Sequence, residues 1–230
     1  MNARYFGLVP AAGSGSRFGA DVLKQYSPLA GKPMLYHSIG RLLAMPEVEI
    51  VFVVLAPADT EFRRHDWKAF GERLAPLYCG GASRRDSVLN GLIAAASAVD
   101  SNDWMLVHDA VRPCLGKDEL RRLIDEAGRD EVGGILAIPV ADTLKRADEE
   151  HRIVATEPRD GLWRAQTPQM FRHGMLVRAL REAEHVTDEA SAVEALGYKP
   201  KLVEGSTRNL KVTFAADLDI AEGILKKAVL

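Results

Sequence analysis

Two kinds of hydrophobic segment, one short and one long, alternate along this chain. Short runs of apolar and β-branched residues, each long enough for one strand, are separated by longer segments in which apolar positions recur at helical spacing. The short runs are residues 5–10, 48–55, 77–79, 104–108 and 132–140. This alternation predicts an α/β fold of Rossmann-like type, with a mostly parallel, twisted sheet flanked by helices.

Two helices have recognisable beginnings. Residues 34–43 carry one apolar stripe and follow Pro33, a favourable residue for the first helical position. Residues 83–98 form a second helical segment, in which Ser83 and Asp86 have the spacing of a capping box. Later in the chain the pattern predicts helices at 173–185 and 188–196, strands near 201–203 and 209–213, and a C-terminal helix.

The regular alternation is interrupted between residues 141 and 158. Two short strand-like pieces, 143–146 and 153–156, flank a polar turn at residues 148–151. We interpret them as a β-hairpin arm that projects from the domain. An isolated hairpin is unstable in water, so this arm is expected to lie against a partner surface.

The composition fits one domain spanning residues 1–230. The chain has 230 residues, of which 47% are hydrophobic, enough to enclose one sizeable core. The formal net charge is −2, with 30 basic and 32 acidic side chains, so no basic stripe indicates a nucleic-acid partner. No apolar run approaches the roughly 18 residues of a membrane span, and a cytoplasmic protein is expected. Cys79 and Cys114 lack metal-ligand or disulfide spacing and are interpreted as core residues.

A glycine-rich turn follows the first predicted strand. Gly13 and Gly15 allow the backbone to approach an anion closely, and Arg17 and Lys24 add mobile positive charge for phosphate oxygens. A Walker loop is excluded because neither glycine is followed by the required Gly-Lys-Ser/Thr. Phe18 replaces a glycine of the dinucleotide fingerprint, which weakens the alternative of an NAD-dependent oxidoreductase. The turn therefore predicts a site for a nucleoside triphosphate.

Polar residues that follow the other strands are compatible with the same chemistry. Ligands of open parallel sheets lie beyond the carboxyl ends of the strands. There, Asp109 is a candidate ligand of a Mg²⁺ ion held by a triphosphate, or alternatively a turn or N-cap residue. Its neighbour His108 points to the opposite face of the strand and is not expected to share the ion. Lys211 either pairs with an anion from an inward position or carries an edge-strand charge to water.

Thr187 and Arg159 each admit two interpretations. Thr187 precedes an acidic helical start and is interpreted as a helix N-cap, a position that can also bind phosphate. Arg159 follows the hairpin arm, where it is either a solvated loop charge or a ligand-binding residue. Apart from His108, the histidines are scattered without a consistent spacing, and no histidine is assigned a catalytic role.

Taken together, the motifs extend over nearly the whole chain. They are AAGSGSR at 11–17, KQY at 24–26, the glycine pair 80–81 with Arg84 and Ser87, HDAVRP at 108–113, DTLK at 142–145, TDEA at 187–190 and NLKVT at 209–213. In this order they closely resemble the methylerythritol phosphate cytidylyltransferase family. The resemblance implies a single-domain nucleotidyltransferase fold and a homodimer that exchanges hairpin arms. It also implies CTP and a polyol phosphate as substrates, Mg²⁺ as the metal, and a product used in isoprenoid synthesis.

The resemblance implies a role for individual positions. Arg17, Lys24 and Lys211 would act in catalysis. The positions implied to contact the nucleotide are Ala11, Ala12, Gly13, Gly15, Gly81, Ser87, Asp109 and Ala110, of which Asp109 would also hold the metal. The positions implied to face the acceptor are Arg112, Thr143, Arg159 and Thr187. The positions that depart from the family's usual residues are Leu23, Ala82 and Val111.

The implied chemistry needs no catalytic base. A phosphate oxygen of the acceptor is already anionic at neutral pH and would attack the α-phosphorus of CTP in line, expelling pyrophosphate. Arg17, Lys24, Lys211 and Mg²⁺ would position the reacting groups and stabilise charge. Two further alternatives remain open: a cytidylyltransferase for another polyol phosphate, such as ribitol 5-phosphate, and a catalytically silent nucleotide-binding regulator.

Overall fold

A seven-stranded sheet lies at the centre of the fold. The computed structural model describes residues 3–13 and 23–227. The strands are β1 (Tyr5–Pro10), β2 (Pro28–Leu29), β3 (Lys32–Pro33), β4 (Val48–Val54), β5 (Leu74–Leu77), β6 (Trp104–Val107), β7 (Gly133–Pro139), β8 (Leu144–Ala147), β9 (Ile153–Glu157), β10 (Trp163–Arg172) and β11 (Lys201–Glu204). The helices are α1 (Met34–Leu43), α2 (Arg84–Ala95), α3 (Lys117–Ala127), α4 (His173–Glu182), α5 (Glu189–Ala195) and α6 (Asp217–Lys227).

The strands of the central sheet follow the order β11-β7-β10-β6-β1-β4-β5. Every neighbouring pair is parallel except the two that involve β10, which runs antiparallel to β6 and to β7. The predicted mostly parallel sheet is thereby confirmed. The sequence pattern did not reveal β10, because the buried polar residues Gln166, Thr167 and Gln169 interrupt its apolar pattern.

Helices cover both faces of this sheet. α1 and α3 pack on one face, where Leu35 and Leu123 share a hydrophobic cluster with Val9. α2, α4 and α5 cover the other face, where Leu92 packs in a cluster with Leu8. Adjacent residues of β1 thus enter opposite cores, as the alternation of strand side chains requires. Among the residues described, no helix is both long enough and apolar enough to cross a bilayer.

The start of α2 is predicted correctly, whereas the start of α1 is shifted by one residue. The Ser83 hydroxyl accepts the N–H of Asp86 at 3.0 Å and caps α2. Pro33 lies at the N-cap of α1 rather than at its first helical position, which Met34 occupies. Proline suits both positions, because its φ is fixed at about −65° and its missing N–H would be unpaired at either one.

Two predicted strands differ from the observed structure. The sequence predicts a strand at 77–79, but β5 ends at Leu77 and the following residues already belong to a turn. It also predicts a strand at 209–213, but this segment is irregular. Val212 in the segment is buried, and its N–H donates to the Val111 carbonyl at 2.9 Å. The segment's apolar residues therefore serve local packing and not a sheet ladder.

The predicted hairpin is present. β8 and β9 pair antiparallel, with Lys145 opposite Thr156. The arm carries exposed apolar side chains, since Ile153 and Val154 are 67% and 58% exposed. Exposed adjacent apolar residues on a two-stranded arm suit contact with another surface. That this surface is a second copy of the chain stays a prediction.

Candidate functional site

A cleft of about 470 Å³ opens where the chain leaves the carboxyl ends of β1 and β6. The edge of the sheet is the one predicted for ligands of a mostly parallel sheet. The predicted site residues that line the cleft are Ala11, Ala12, Gly13, Lys24, Gly81, Ser87, Asp109, Ala110 and Lys211. The other predicted residues of the first glycine turn, Gly15 and Arg17, lie outside the described residues.

Gln25 holds the first turn of the cleft in place. Its buried side chain donates from Nε2 to the carbonyl of Ala11 at 2.7 Å and to that of Gly13 at 3.3 Å. On the other side, the N–H of Ala11 donates to the Val54 carbonyl at 2.8 Å. Gln25 was not predicted as a site residue, because an amide beside Lys24 carries no charge or spacing that signals a function.

The second turn of the cleft requires glycine. A Cβ atom on Gly81 would lie 2.5 Å from Asp86 Cβ, and one on Gly80 would lie 2.3 Å from Ala12 Cβ. The N–H of Gly81 donates to the Ser87 hydroxyl at 3.1 Å, which ties the turn to the first turn of α2. Because Gly80 lies so close to Ala12, the two turns meet at one edge of the cleft.

Asp109 is enclosed by cationic side chains. Its Oδ1 accepts from Arg84 Nη2 at 3.1 Å and Nε at 3.2 Å. Its Oδ2 lies 2.9 Å from Lys211 Nζ and 3.6 Å from Arg112 Nε. Burial acts to raise the pKa of this carboxyl, but the three cations more than offset burial and hold the pKa well below its ordinary value. Of the two interpretations of Lys211, the structure has the inward ion pair.

Both oxygens of Asp109 are turned to N–H donors in this structure. Mg²⁺ is bound by oxygen atoms of carboxylates, phosphates and water, whereas both oxygens of Asp109 face N–H donors. Within ranges 3–13 and 23–227, no group of three or more His, Cys, Asp or Glu side chains could hold a metal ion. Direct ligation of Mg²⁺ by Asp109 would require Lys211 to leave first.

His108 lies beneath Asp109 as a neutral imidazole. Its Nε2 carries the proton, because the Arg112 carbonyl at 3.0 Å can only accept. Its Nδ1 then accepts from the Thr167 hydroxyl at 2.9 Å, and that hydroxyl accepts the Asp109 N–H at 3.0 Å. Burial is the main reason that the pKa of His108 falls to about 4. This chain of hydrogen bonds fixes the backbone of Asp109, so the task of His108 is structural.

Arg84 connects the cleft to the start of α5. Its Nη1 donates to Glu189 Oε1 at 2.7 Å and its Nη2 to Oε2 at 3.1 Å, a bidentate pair. Glu189 is completely buried, and Arg84 also contacts Asp109, so the guanidinium bridges two buried carboxylates. Both residues fall within the motifs, but neither was predicted to have a role, because charged residues at helix starts are ordinarily solvated.

Lys24 lines the same cleft as Lys211 although the two are distant in the sequence. Lys24 Nζ donates to the Thr213 carbonyl at 3.2 Å. The carboxylate of Asp217, at the start of α6, accepts the N–H groups of Thr213 and Phe214 at 2.7 and 2.8 Å. The segment that carries Lys211 is thus anchored to α6 and contacts the loop that carries Lys24.

All four predicted acceptor-binding residues, Arg112, Thr143, Arg159 and Thr187, lie outside this cleft's lining. Arg112 is buried next to Asp109 and donates from Nη1 to the Asn209 carbonyl at 2.6 Å. Thr143 and Arg159 are exposed at the base of the hairpin arm, where the Arg159 guanidinium donates to the Ala141 carbonyl. Within one chain, the arm residues are therefore separate from the cleft.

Thr187 lies beside α5 but does not cap it. Asp188 Oδ1 accepts the Ser191 N–H at 2.9 Å, and Ser191 Oγ accepts the Asp188 N–H at 3.2 Å, which completes a capping box. The prediction of Thr187 as the N-cap is wrong by one residue, because the carboxylate that follows takes this position. Thr187 is exposed and lines a second cleft of about 420 Å³, which shares Ser83 and Arg84 with the first.

The fold and the cleft together are those of a nucleotidyltransferase, with main-chain turns and cationic side chains gathered at the carboxyl edge of the sheet. The family model described as 2-C-methyl-D-erythritol 4-phosphate cytidylyltransferase (IspD) matches residues 6–227. The chain belongs to this cytidylyltransferase family.

Individual relatives support the same assignment. A 2-C-methyl-D-erythritol 4-phosphate cytidylyltransferase of Aromatoleum aromaticum is 59% identical over 222 residues, which cover 96% of this chain and 95% of the relative. A crystal structure of a 4-diphosphocytidyl-2C-methyl-D-erythritol synthase has 41% identity and a TM-score of 0.87, covering 98% of this chain and 99% of its own. The Francisella tularensis enzyme has 32% identity and a TM-score of 0.82, covering 96% and 100%.

Membership of the family confirms the resemblance drawn from the motifs. It favours a cytidylyltransferase over the dehydrogenase and over a silent nucleotide-binding regulator. The roles of single residues, including the metal role of Asp109, stay predictions.

Proposed function

We propose that this chain transfers CMP from CTP to 2-C-methyl-D-erythritol 4-phosphate. The products are 4-diphosphocytidyl-2-C-methyl-D-erythritol and pyrophosphate, in the non-mevalonate route to isoprenoids. Family membership supports the reaction, and the names of the relatives support the acceptor. The observation that carries the proposal is the convergence of Lys24, Lys211 and two tight turns on one cleft.

The cytidine half of CTP is assigned to the two turns. Gly81 and Ser87 lie on one of them, and Ala11 to Gly13 lie on the other, so both turns line the part of the cleft assigned to the base. Asp109 and Ala110, which follow β6, are assigned to the ribose. Since Gln25 holds two carbonyls of the first turn, the groups that face the base are preorganised.

The triphosphate is assigned to Lys24 and Lys211, together with Arg17 as predicted from the sequence. A phosphate oxygen of the acceptor attacks the α-phosphorus and forms the new P–O bond. The bond between the α-phosphorus and the bridging oxygen breaks, and its electron pair leaves with pyrophosphate. No proton has to be removed from the nucleophile, so the side chains act by positioning and by stabilising negative charge.

Lys211 changes partner in this proposal. Before CTP binds, its ammonium group pairs with Asp109 Oδ2 at 2.9 Å. Its side chain is 47% exposed, and a lysine side chain has a flexible stem, so the ammonium group can turn toward a phosphate oxygen. Arg84 and Arg112 then remain paired with Asp109. The mobile cation is thus held next to the position where it is used.

The acceptor is assigned to Thr187 and Arg112, joined by Thr143 and Arg159 from the arm of a second copy. The separation of the arm residues from the cleft and the exposed Ile153 and Val154 support a homodimer with exchanged arms. We propose that the dimer is cytoplasmic. We also propose Mg²⁺ as the metal of the reaction, arriving as the counter-ion of the CTP phosphates; Asp109 would hold it only after Lys211 has turned to a phosphate oxygen.

The test of this function is pyrophosphate release by the purified chain. CTP is compared with ATP, GTP and UTP, and 2-C-methyl-D-erythritol 4-phosphate with ribitol 5-phosphate and erythritol 4-phosphate, each with and without Mg²⁺. We expect rapid release only with CTP, the methylated acceptor and Mg²⁺. Faster turnover of ribitol 5-phosphate would replace the proposed acceptor, and release without added acceptor would contradict a transferase.

A further inference from the structure

Arg84 occupies a position that its local sequence does not favour. It is the first residue of α2, where the free N–H groups and the helix dipole favour an anion over a cation. Two carboxylates, those of Asp109 and Glu189, offset this cost by ion pairs at 3.1 and 2.7 Å. A cation at a helix N-terminus that is held there by two ion pairs indicates a functional constraint on this position.

The position of Arg84 between the two clefts suggests what that constraint is. Arg84 and Ser83 are shared by the cleft assigned to CTP and by the second cleft, which contains Thr187. One edge of the guanidinium contacts Asp109, in the first cleft. The other edge contacts Glu189, which begins α5 two residues after Thr187.

We propose that Arg84 is a positioning residue that sets the donor and acceptor subsites relative to each other. It acts through Asp109 on the CTP side and through Glu189 on the side of Thr187. This inference rests on the proposed function and deepens it. The planar guanidinium suits the task because its fixed N–H directions can hold two carboxylates at once, which a lysine ammonium on a flexible stem cannot do with the same geometry.

Comparison of R84M with R84M/E189Q separates an effect on positioning, measured as kcat, from an effect on stability, measured as Tm. R84M leaves Glu189 buried without a partner, so we expect a lower Tm as well as a lower kcat. In R84M/E189Q the buried charge is also removed, so the Tm should recover while kcat stays down by about 10²-fold, the effect of a misplacement near 1 Å. The KM for CTP should change much less than kcat. Recovery of both Tm and kcat in the double variant would make Arg84 merely structural.

A remote bidentate Arg–Glu pair, more exposed than Arg84 and Glu189, provides the control. Arg121 and Glu47 form a bidentate pair with contacts of 2.5 and 3.1 Å and line neither cleft. R121M/E47Q should keep the wild-type kcat. If R84M/E189Q does not fold, R84K serves instead, with an expected loss in kcat of at least about 10-fold. Wild-type kcat in R84K would then overturn the proposal.

A structural measurement tests the inference independently of the reaction. In a crystal structure of R84M/E189Q, or of R84K if the double variant does not fold, the Asp109 carboxylate or the start of α5 should be displaced from its wild-type position. Unchanged positions of both would overturn the positioning role. Absence of pyrophosphate release by the wild-type chain would contradict the proposed function instead, and the crystal structure would still decide whether Arg84 positions the two elements.

Discussion

Lys211 Nζ lies 2.9 Å from Asp109 Oδ2, so the cleft contains an ion pair between the segment after β11 and the segment after β6. The carboxylate is almost buried while the lysine side chain is 47% exposed. The fixed partner of this pair is therefore the anion and the mobile partner is the cation.

The first prediction concerns Lys24. K24A should lower kcat by roughly 10² to 10³, the effect of removing one oriented charge from a developing transition state. Its hydrogen bond to the Thr213 carbonyl is partly buried, so the change in unfolding free energy should be no more than about 1 kcal/mol. Steady-state kinetics and thermal unfolding measure the two effects separately.

Lys32 is the matched control for Lys24. It is exposed, lies over the Tyr36 ring at 5.1 Å and does not line the cleft, so K32A should keep wild-type kinetics. An equal loss of activity in K24A and K32A would mean that general surface charge, and not the position of Lys24, is responsible.

The second prediction concerns the compact turn at Gly81. An added Cβ would lie 2.5 Å from Asp86 Cβ, so G81A must displace the turn that is assigned to the base. We expect the KM for CTP to rise at least about 10-fold, because the displaced backbone groups no longer meet their partners. Initial rates of pyrophosphate release at varied CTP concentration check this directly.

Gly223 on α6 offers the corresponding neutral substitution. A Cβ there would have no heavy atom within 4 Å, so G223A should leave the KM unchanged and raise stability by up to about 1 kcal/mol through helix propensity. A wild-type KM in G81A would show that the turn adapts without cost to CTP binding.

The third prediction concerns pH. His108 has a folded-state pKa of about 4, below its ordinary value of 6.5, so between these values the unfolded chain binds the extra proton. Unfolding free energy should therefore fall as the pH drops from 6.5 to 4, with roughly 3 kcal/mol from this residue. Above pH 6.5 the contribution is fully present and constant.

Denaturant unfolding at several pH values measures this slope. H108Q should show a shallower dependence over the same window, whereas H185Q, at an exposed histidine, should keep the wild-type slope. Identical slopes in H108Q and the wild type would mean that His108 is not held neutral by the fold.

The fourth prediction concerns arm exchange. If each site uses Lys24 of one copy and Arg159 of the other, then K24A and R159A are each inactive, but a mixed dimer has one complete site. Random remixing should recover about a quarter of wild-type activity, since half of the dimers are mixed and half of their sites are whole. Pyrophosphate release after mild dissociation and remixing measures the recovery.

Subunit exchange has to be demonstrated separately, for example by mass spectrometry of differently labelled chains. Complete exchange without regained activity would refute a shared site. Full activity of R159A before mixing would remove this arginine from the reaction altogether.

Local features of the fold were predictable and distant contacts were not. The strand β1 and the glycine turn after it follow directly from neighbouring residues, as does the cap of α2 by Ser83. Thr167 could not be found in the same way. It is a buried polar residue of β10, and its contact with Asp109 depends on β10 being inserted antiparallel beside β6.

The same limit applies to the candidate site. Asp109 was recognisable in the sequence as a polar residue at a strand end. The three cations around it could not be predicted, because Arg84, Arg112 and Lys211 come from different parts of the chain. Glu189 was hidden for a second reason. An acidic residue is common in the first turn of a helix on electrostatic grounds, so the sequence pattern cannot distinguish a buried Glu189 from an exposed one.

The ion pairs of Asp109 have a consequence for which anions the cleft selects. Its cations are already neutralised in part by the protein's own carboxylates, so an incoming anion has to compete with an internal one. A singly charged ion such as chloride offers too little attraction to displace a preorganised carboxylate, whereas a polyphosphate contacts several cations at once. These ion pairs are therefore expected to favour a polyphosphate over chloride in this cleft.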